Sequence, residues 1–140
     1  MIPAMTTSLE YVGESKVDIS ADSLEGVFAE VARFIAASNG APSSGRGEWI
    51  EVEVTARDTP TLLVDWANDL LGRSESDDRA YSEVRNVVIR QHPNHEMSVT
   101  ARVLGTPVDF WSSPLKGATY HDMRIDHRHD RWHAVILFDA

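Results

Sequence analysis

The sequence predicts an α+β sandwich, a single domain over residues 1–140 with a largely antiparallel sheet and two main helices. Three observations predict it. Two segments in the first half carry apolar residues at helical spacing. The segments around them and after them alternate apolar and polar residues as strands do. No stretch of composition or repeat divides the chain, and 140 residues suit one core.

The first helix rests on Leu24, Val27, Phe28, Val31 and Ile35, which fall on one stripe. Asp22 or Ser23 can cap its start, and Asp22 with Glu25 has the spacing of a capping box. Asn39-Gly40 ends it. Asn39 to Gly47, rich in Gly, Pro and Ser, reads as a flexible loop. A strand follows over Glu48 to Arg57, with Ile50, Val52, Val54 and Ala56 on its buried face. Thr59 is the expected cap of a second helix, with Pro60 at its first position. Leu63, Trp66, Ala67 and Leu70 form that helix's stripe, and Gly72 is expected to end it in a charged loop reaching Ala80.

The second half reads as strands. Tyr81 to Gln91 contains Val87-Val88-Ile89, and Glu96 to Leu104 alternates Met97, Val99, Ala101 and Val103 with polar residues. Thr106 to Pro114 is expected to be an irregular connection, which exposes Trp111 as a candidate partner contact. Trp49, Trp66 and Trp132 are expected in the core or at its rim. Leu115 to Asp126 and Arg131 to Asp139 form a final hairpin turning at His127 to Asp130.

Charge and composition exclude several functions. Thirteen basic and 22 acidic residues give a net charge of −9, unsuited to non-specific binding of nucleic acid or anionic membrane. No apolar run approaches the roughly 20 residues that span a bilayer, and the N-terminus lacks a signal-peptide pattern. There is no cysteine, hence no disulfide, thiol nucleophile or thiolate metal site. A cytoplasmic location is the simplest expectation.

Catalytic motifs are sparse. His127, His129 and His133 could in principle hold zinc, but they cluster in a charged turn and read as solvated histidines. Neither a serine elbow nor a glycine-rich phosphate loop occurs, and Ser43 to Gly47 follows a helix and precedes a strand, the reverse of a P-loop. Carboxylates remain. Asp139 closes the apolar strand Ala134 to Phe138, where it can pair with another acid to hold a hard divalent cation, assisted by the terminal carboxylate of Ala140. Glu14, Asp18 and Asp22 are the candidate partners.

Four stretches share a further feature. Ser23 to Phe28 (SLEGVF) resembles "SLEEAF". Glu51 to Leu71 resembles an acidic strand followed by "D…LLxxWLxxLL". Leu115 to His121 (LKGATYH) resembles "IKAVTYH", and Trp132 to Ala140 (WHAVILFDA) resembles a closing "W…VIxDI". In order, spacing and length the chain resembles the archease family, small activators of the GTP-dependent RNA ligase RtcB.

The resemblance implies an archease-like fold and a protein cofactor, not a stand-alone enzyme. It implies an RtcB-type RNA ligase partner whose guanylation and multiple turnover are promoted, in tRNA splicing or RNA repair. It also implies a divalent metal ion (calcium, magnesium or manganese) held by the aspartate of an "HTAD" motif and the near-terminal aspartate, with a functional lysine. By position these are Glu14, Asp139 and Lys116. Ungapped counting puts HTAD on Tyr11 to Glu14, and a second alignment puts it on Asp18 to Asp22. Lys116 is expected to share a strand face with Tyr120 and to pair with Asp139 or contact a phosphate. Direct stable nucleic-acid binding and membrane binding are not expected. Two other classes fit the same residues: a small metal-dependent phosphoester hydrolase with His121 activating water, and a metal-free interaction module.

Overall fold

The computed structural model describes the backbone of residues 3–11, 14–42, 46–111 and 115–139, and their side chains except at 8–11, 14, 41–42 and 110. In chain order the elements are β1 (Met5–Tyr11), β2 (Glu14–Ala21), α1 (Leu24–Asn39), β3 (Gly40–Pro42), β4 (Glu48–Ala56), α2 (Thr59–Asp77), β5 (Arg79–Gln91), β6 (Met97–Trp111), β7 (Gly117–Arg128) and β8 (Arg131–Asp139). The strands build two sheets, and every pairing described is antiparallel. One sheet has the order β1-β2-β8-β7. In the other, β6 is central, pairing with β4, β5 and β3. Each helix packs against both sheets: α1 on β2 and β5, α2 on β7 and β4. The α+β sandwich with two main helices is the fold observed.

Burial follows the stripes. In α1, Val27, Phe28, Val31, Ala32, Ile35 and Ala36 are buried, and in α2 the buried set includes Leu63, Trp66, Ala67 and Leu70. The Trp66 indole N–H donates to the Phe28 carbonyl at 2.9 Å, so its polar edge is satisfied inside the core. β8 contributes Ala134, Ile136 and Phe138 to the same core, and β2 contributes Val17, Ile19 and Ala21.

Of the two candidate caps of α1, Ser23 is the one observed, its hydroxyl accepting from Gly26 N at 3.0 Å. Asp58, not Thr59, caps α2, accepting from Thr61 N at 2.8 Å and leaving Pro60 within the first turn, where proline is tolerated. The Thr61 side chain first, and then this main-chain bond, hold the Asp58 carboxyl below its ordinary value.

Gly72 does not end α2. The helix runs on to Asp77 because Leu71 and Ser74 continue the buried stripe, and Asp78 (φ 54°) supplies the left-handed cap. The expected loop at Gly72 to Ala80 is therefore mostly helix. Thr106 to Trp111 is likewise strand, because Thr106 and Pro107 pair with β5 and the stretch from Val108 to Trp111 pairs with β3, an element invisible in the Asn39 to Gly47 loop. Residues 43–45 and 112–114 of those two expected loops lie outside the described residues. Gly40 permits the α1–β3 junction: a Cβ there would lie 2.6 Å from Val108 Cγ1 and 3.3 Å from the Trp111 ring. The final hairpin turns on His129 and Asp130 (φ 54° and 59°), two left-handed residues as in a type I′ turn. Of the remaining tryptophans, Trp49 and Trp132 are half-buried and Trp111 is 37% exposed.

Two outcomes follow. A Cβ at Gly72 meets nothing within 4 Å, so Gly72→Ala gains helix propensity without a clash and stabilises the fold by about 0.5–1 kcal/mol. Chemical denaturation checks this, and a loss of stability would show the site is not open. The Tyr81 hydroxyl, buried and donating to Asp77 at 2.7 Å, has its pKa pushed up to about 12, chiefly by burial. Its contribution is complete below the unfolded value near 10 and is lost as pH rises from about 10 to about 12. Tyr81→Phe removes that part of the alkaline slope in a pH series of denaturation curves.

Candidate functional site

The β2–β8 register sets Glu14 directly opposite Asp139, and the β7–β8 register sets Gly117 on its other side. Residues directly opposite on antiparallel strands carry their Cβ atoms about 4.5–5.5 Å apart, and like charges placed so repel. Alternation sets Ala134, Ile136 and Phe138 of β8 inward and Val135, Leu137 and Asp139 on the other face, where Leu137 is still buried and Asp139, at the strand end, is exposed. The Lys116 N–H donates to the Asp139 carbonyl at 2.8 Å. Three sequence-predicted residues from opposite ends of the chain, Glu14, Lys116 and Asp139, thus meet at one end of one sheet.

The other carboxylates do not join them. Asp18 stands opposite Val135, and Asp22 lies beyond the far end of the β2–β8 pairing, roughly 26 Å along the strand from Glu14. Asp22 is engaged by Arg131 at 2.5 Å. Of Glu14, Asp18 and Asp22, Glu14 is the one that faces Asp139 across the strands. The Glu14 side chain and Ala140 lie outside what is described.

Lys116 precedes β7. Its expected face-mate Tyr120 donates its hydroxyl to Asp65 of α2, and this hydrogen bond raises the phenol's pKa. No described carboxylate lies within ion-pair distance of the Lys116 ammonium, so the expected side-chain pairing with Asp139 is absent and the contact runs through the main chain. His121 sits where the β7 register shifts between Thr119 and Arg124, exposed and 3.3 Å from Asp122, away from the Asp139 row. His127 stacks on Trp132, ring centroids 4.7 Å apart. Among the described residues no three His, Asp or Glu side chains gather as a metal cluster.

Two asparagines that sequence reading passed over hold the Lys116 segment in place. Asn39, buried at the end of α1, accepts from Leu115 N at 2.8 Å. Asn68 of α2 accepts from Ala118 N at 2.7 Å and donates to Ala118 O at 3.0 Å. Its amide pairs with β7 as a neighbouring strand would, closing an open edge. The available signal was Asn68 itself, a polar residue directly after the core pair Trp66 and Ala67.

The sequence profile of the Archease protein family (MTH1598/TM1083) matches residues 8–140. The chain belongs to the archease family. It is 36% identical over 93 residues to the Methanosarcina barkeri protein archease, covering 64% of this chain and 63% of that one. It is 31% identical over 93 residues to the Methanosarcina acetivorans protein archease, with 64% and 63% covered. These alignments span less than two thirds of the relatives' lengths. The solution structure of Methanobacterium thermoautotrophicum protein 1598 superposes with TM-score 0.77 at 20% identity, covering 96% of this chain and 98% of that one. The crystal structure of an archease, possible chaperone, from Thermotoga maritima gives 0.61 at 20% identity, covering 97% and 98%. Both share the fold.

Asn68→Ala removes two hydrogen bonds and leaves a half-buried N–H and C=O of β7 unpaired, at a cost of about 1–3 kcal/mol. Amide exchange at Ala118 accelerates selectively. Unchanged protection there would mean the clasp does not hold the segment.

Proposed function

We propose that this archease-family protein is an accessory factor that activates an RtcB-type RNA ligase, promoting its guanylation and multiple turnover in tRNA splicing or RNA repair. The observation that supports it is the register bringing Glu14 opposite Asp139, with Lys116 tied to the Asp139 carbonyl. The description of the Thermotoga maritima relative as a possible chaperone points the same way.

A cross-strand carboxylate pair is repulsive by itself and is relieved by a cation. The donors are hard oxygens, which suits calcium, magnesium or manganese better than zinc. Glu14 and Asp139 would hold such an ion, which when bound supplies charge neutralisation for phosphate groups. Lys116, on a segment fixed by Asn39, Asn68 and the Asp139 carbonyl, presents an ammonium to a phosphate or guanylate in the partner. The net charge of −9 favours docking to a basic partner surface.

The experiment is multiple-turnover RNA ligation at substoichiometric ligase, with and without the protein. Stimulation by the wild type is expected. Asp139→Ala is expected to reduce it at least tenfold while circular dichroism and the melting curve stay native, because Asp139 is exposed and outside the core. Full stimulation by folded Asp139→Ala sinks the carboxylate site, and no stimulation by the wild type sinks the activator role.

A further inference from the structure

Beside Lys116 a groove of about 560 Å³ opens between the C-terminal half of α2 and the end of β6. Its walls include Leu71, Gly72, Glu75, Asp78, Trp111 and Lys116. Three features of it point outward, to a partner. Gly72 stands in the interior of α2, where glycine is unfavourable, although a Cβ there would meet nothing within 4 Å. No internal contact demands the glycine, and its effect is to keep the groove open. Trp111 lies on the opposite wall, a large aromatic left 37% exposed.

The third feature is charge. Glu75 and Asp78 sit at the C-terminal end of α2, where the helix dipole is already negative, and the last turn holds no basic residue. Asp77 is engaged by Tyr81, whereas Glu75 and Asp78 make no ion pair with any described side chain. An aromatic face, an open apolar floor and two carboxylates without an ion pair among the described residues match one side chain above others. The guanidinium of arginine stacks on aromatic rings and forks onto carboxylates, while its methylene stem packs on apolar surface. This chain uses the same pairing internally, with Arg85 lying 4.5 Å over the Trp49 ring.

We infer that the groove is a docking slot for an arginine-bearing segment of a protein partner. The guanidinium stacks on Trp111 and bonds to Glu75 or Asp78, and Gly72 leaves room for the stem. Because Lys116 lines the groove and is bonded to Asp139, a partner seated there lies against the carboxylate corner. Taking the partner to be the ligase rests on the function proposed above. The slot itself does not.

Gly72→Leu is the informative variant, since it fills the groove from an open helix position and leaves the core intact. In the first arm, a blocked Arg-Leu-Arg peptide is titrated at millimolar concentration into isotope-labelled protein. The Trp111 indole and the Gly72 to Asp78 amides are expected to shift, and Gly72→Leu or Trp111→Ala to abolish the shifts. A lysine-matched peptide is expected to bind at least threefold more weakly. Absence of shifts at these residues overturns the inference. So does a stronger response there to an oligonucleotide, or a wild-type dimer that Gly72→Leu dissociates. In the second arm the protein is titrated into the ligation assay. Gly72→Leu is expected to raise the half-saturating concentration at least tenfold while the stimulation at saturation persists, in contrast to Asp139→Ala, which lowers the plateau. An unchanged half-saturation overturns the slot as the ligase contact. A wild type that fails to stimulate overturns the activator reading instead, and the peptide arm then decides the slot.

Discussion

Burial of Ala134, Ile136 and Phe138 is the constraint from which the rest of the site follows. Strand side chains alternate with period two, so a one-residue slip of β8 would turn Ala134, Ile136 and Phe138 away from this core and Asp139 toward it. The core therefore fixes the face on which Asp139 lies. The same burial of Val17, Ile19 and Ala21 fixes β2, and the two registers together set Glu14 opposite Asp139. A polar corner is thus positioned by apolar residues that take no part in its chemistry. The cost of moving either strand is the loss of two large buried side chains, Ile136 and Phe138 or Val17 and Ile19, each worth about 1.5–3 kcal/mol.

Hydrogen bonds finish what burial begins. β7 is an edge strand, with one row of backbone groups unpaired by its neighbour β8. Asn68 supplies the missing partner from a helix, and Asn39 fixes the residue just before Lys116. These amides tie the Lys116 segment to α1 and α2 while β8 ties it to Asp139. The lysine accordingly sits on a segment braced from three directions, which limits the reorganisation needed when a charged group approaches.

Much of this was legible in the chain itself, element by element. The stripes through Phe28 and Trp66 fixed the two helices, and alternation located most strands. LKGATYH and the closing FDA pointed to Lys116 and Asp139 through family resemblance. Other features were not legible because they depend on distant residues. Gly72 looks like a stop signal, yet the helix passes through it because Leu71 and Ser74 find core to pack on. Thr106 to Trp111 carries a proline and an aspartate and reads as a loop, but β5 and β3 pair with it, β3 from distant positions such as Gly40 opposite Trp111. The roles of Asn39 and Asn68 were hidden for the same reason, since their partners Leu115 and Ala118 are 76 and 50 residues distant.

The sequence by itself determined the fold class, the two amphipathic helices, the acidic balance and the absence of thiol chemistry. Each of these depends on residue type and local spacing, which a linear chain displays. Only the tertiary structure decided that Glu14, rather than Asp18 or Asp22, stands across from Asp139, that Lys116 is braced by two asparagines, and that Gly72, Glu75 and Trp111 share one groove. Those facts are relations between residues far apart in the chain, fixed by strand register and by the packing of helices on sheets, and no local pattern encodes them.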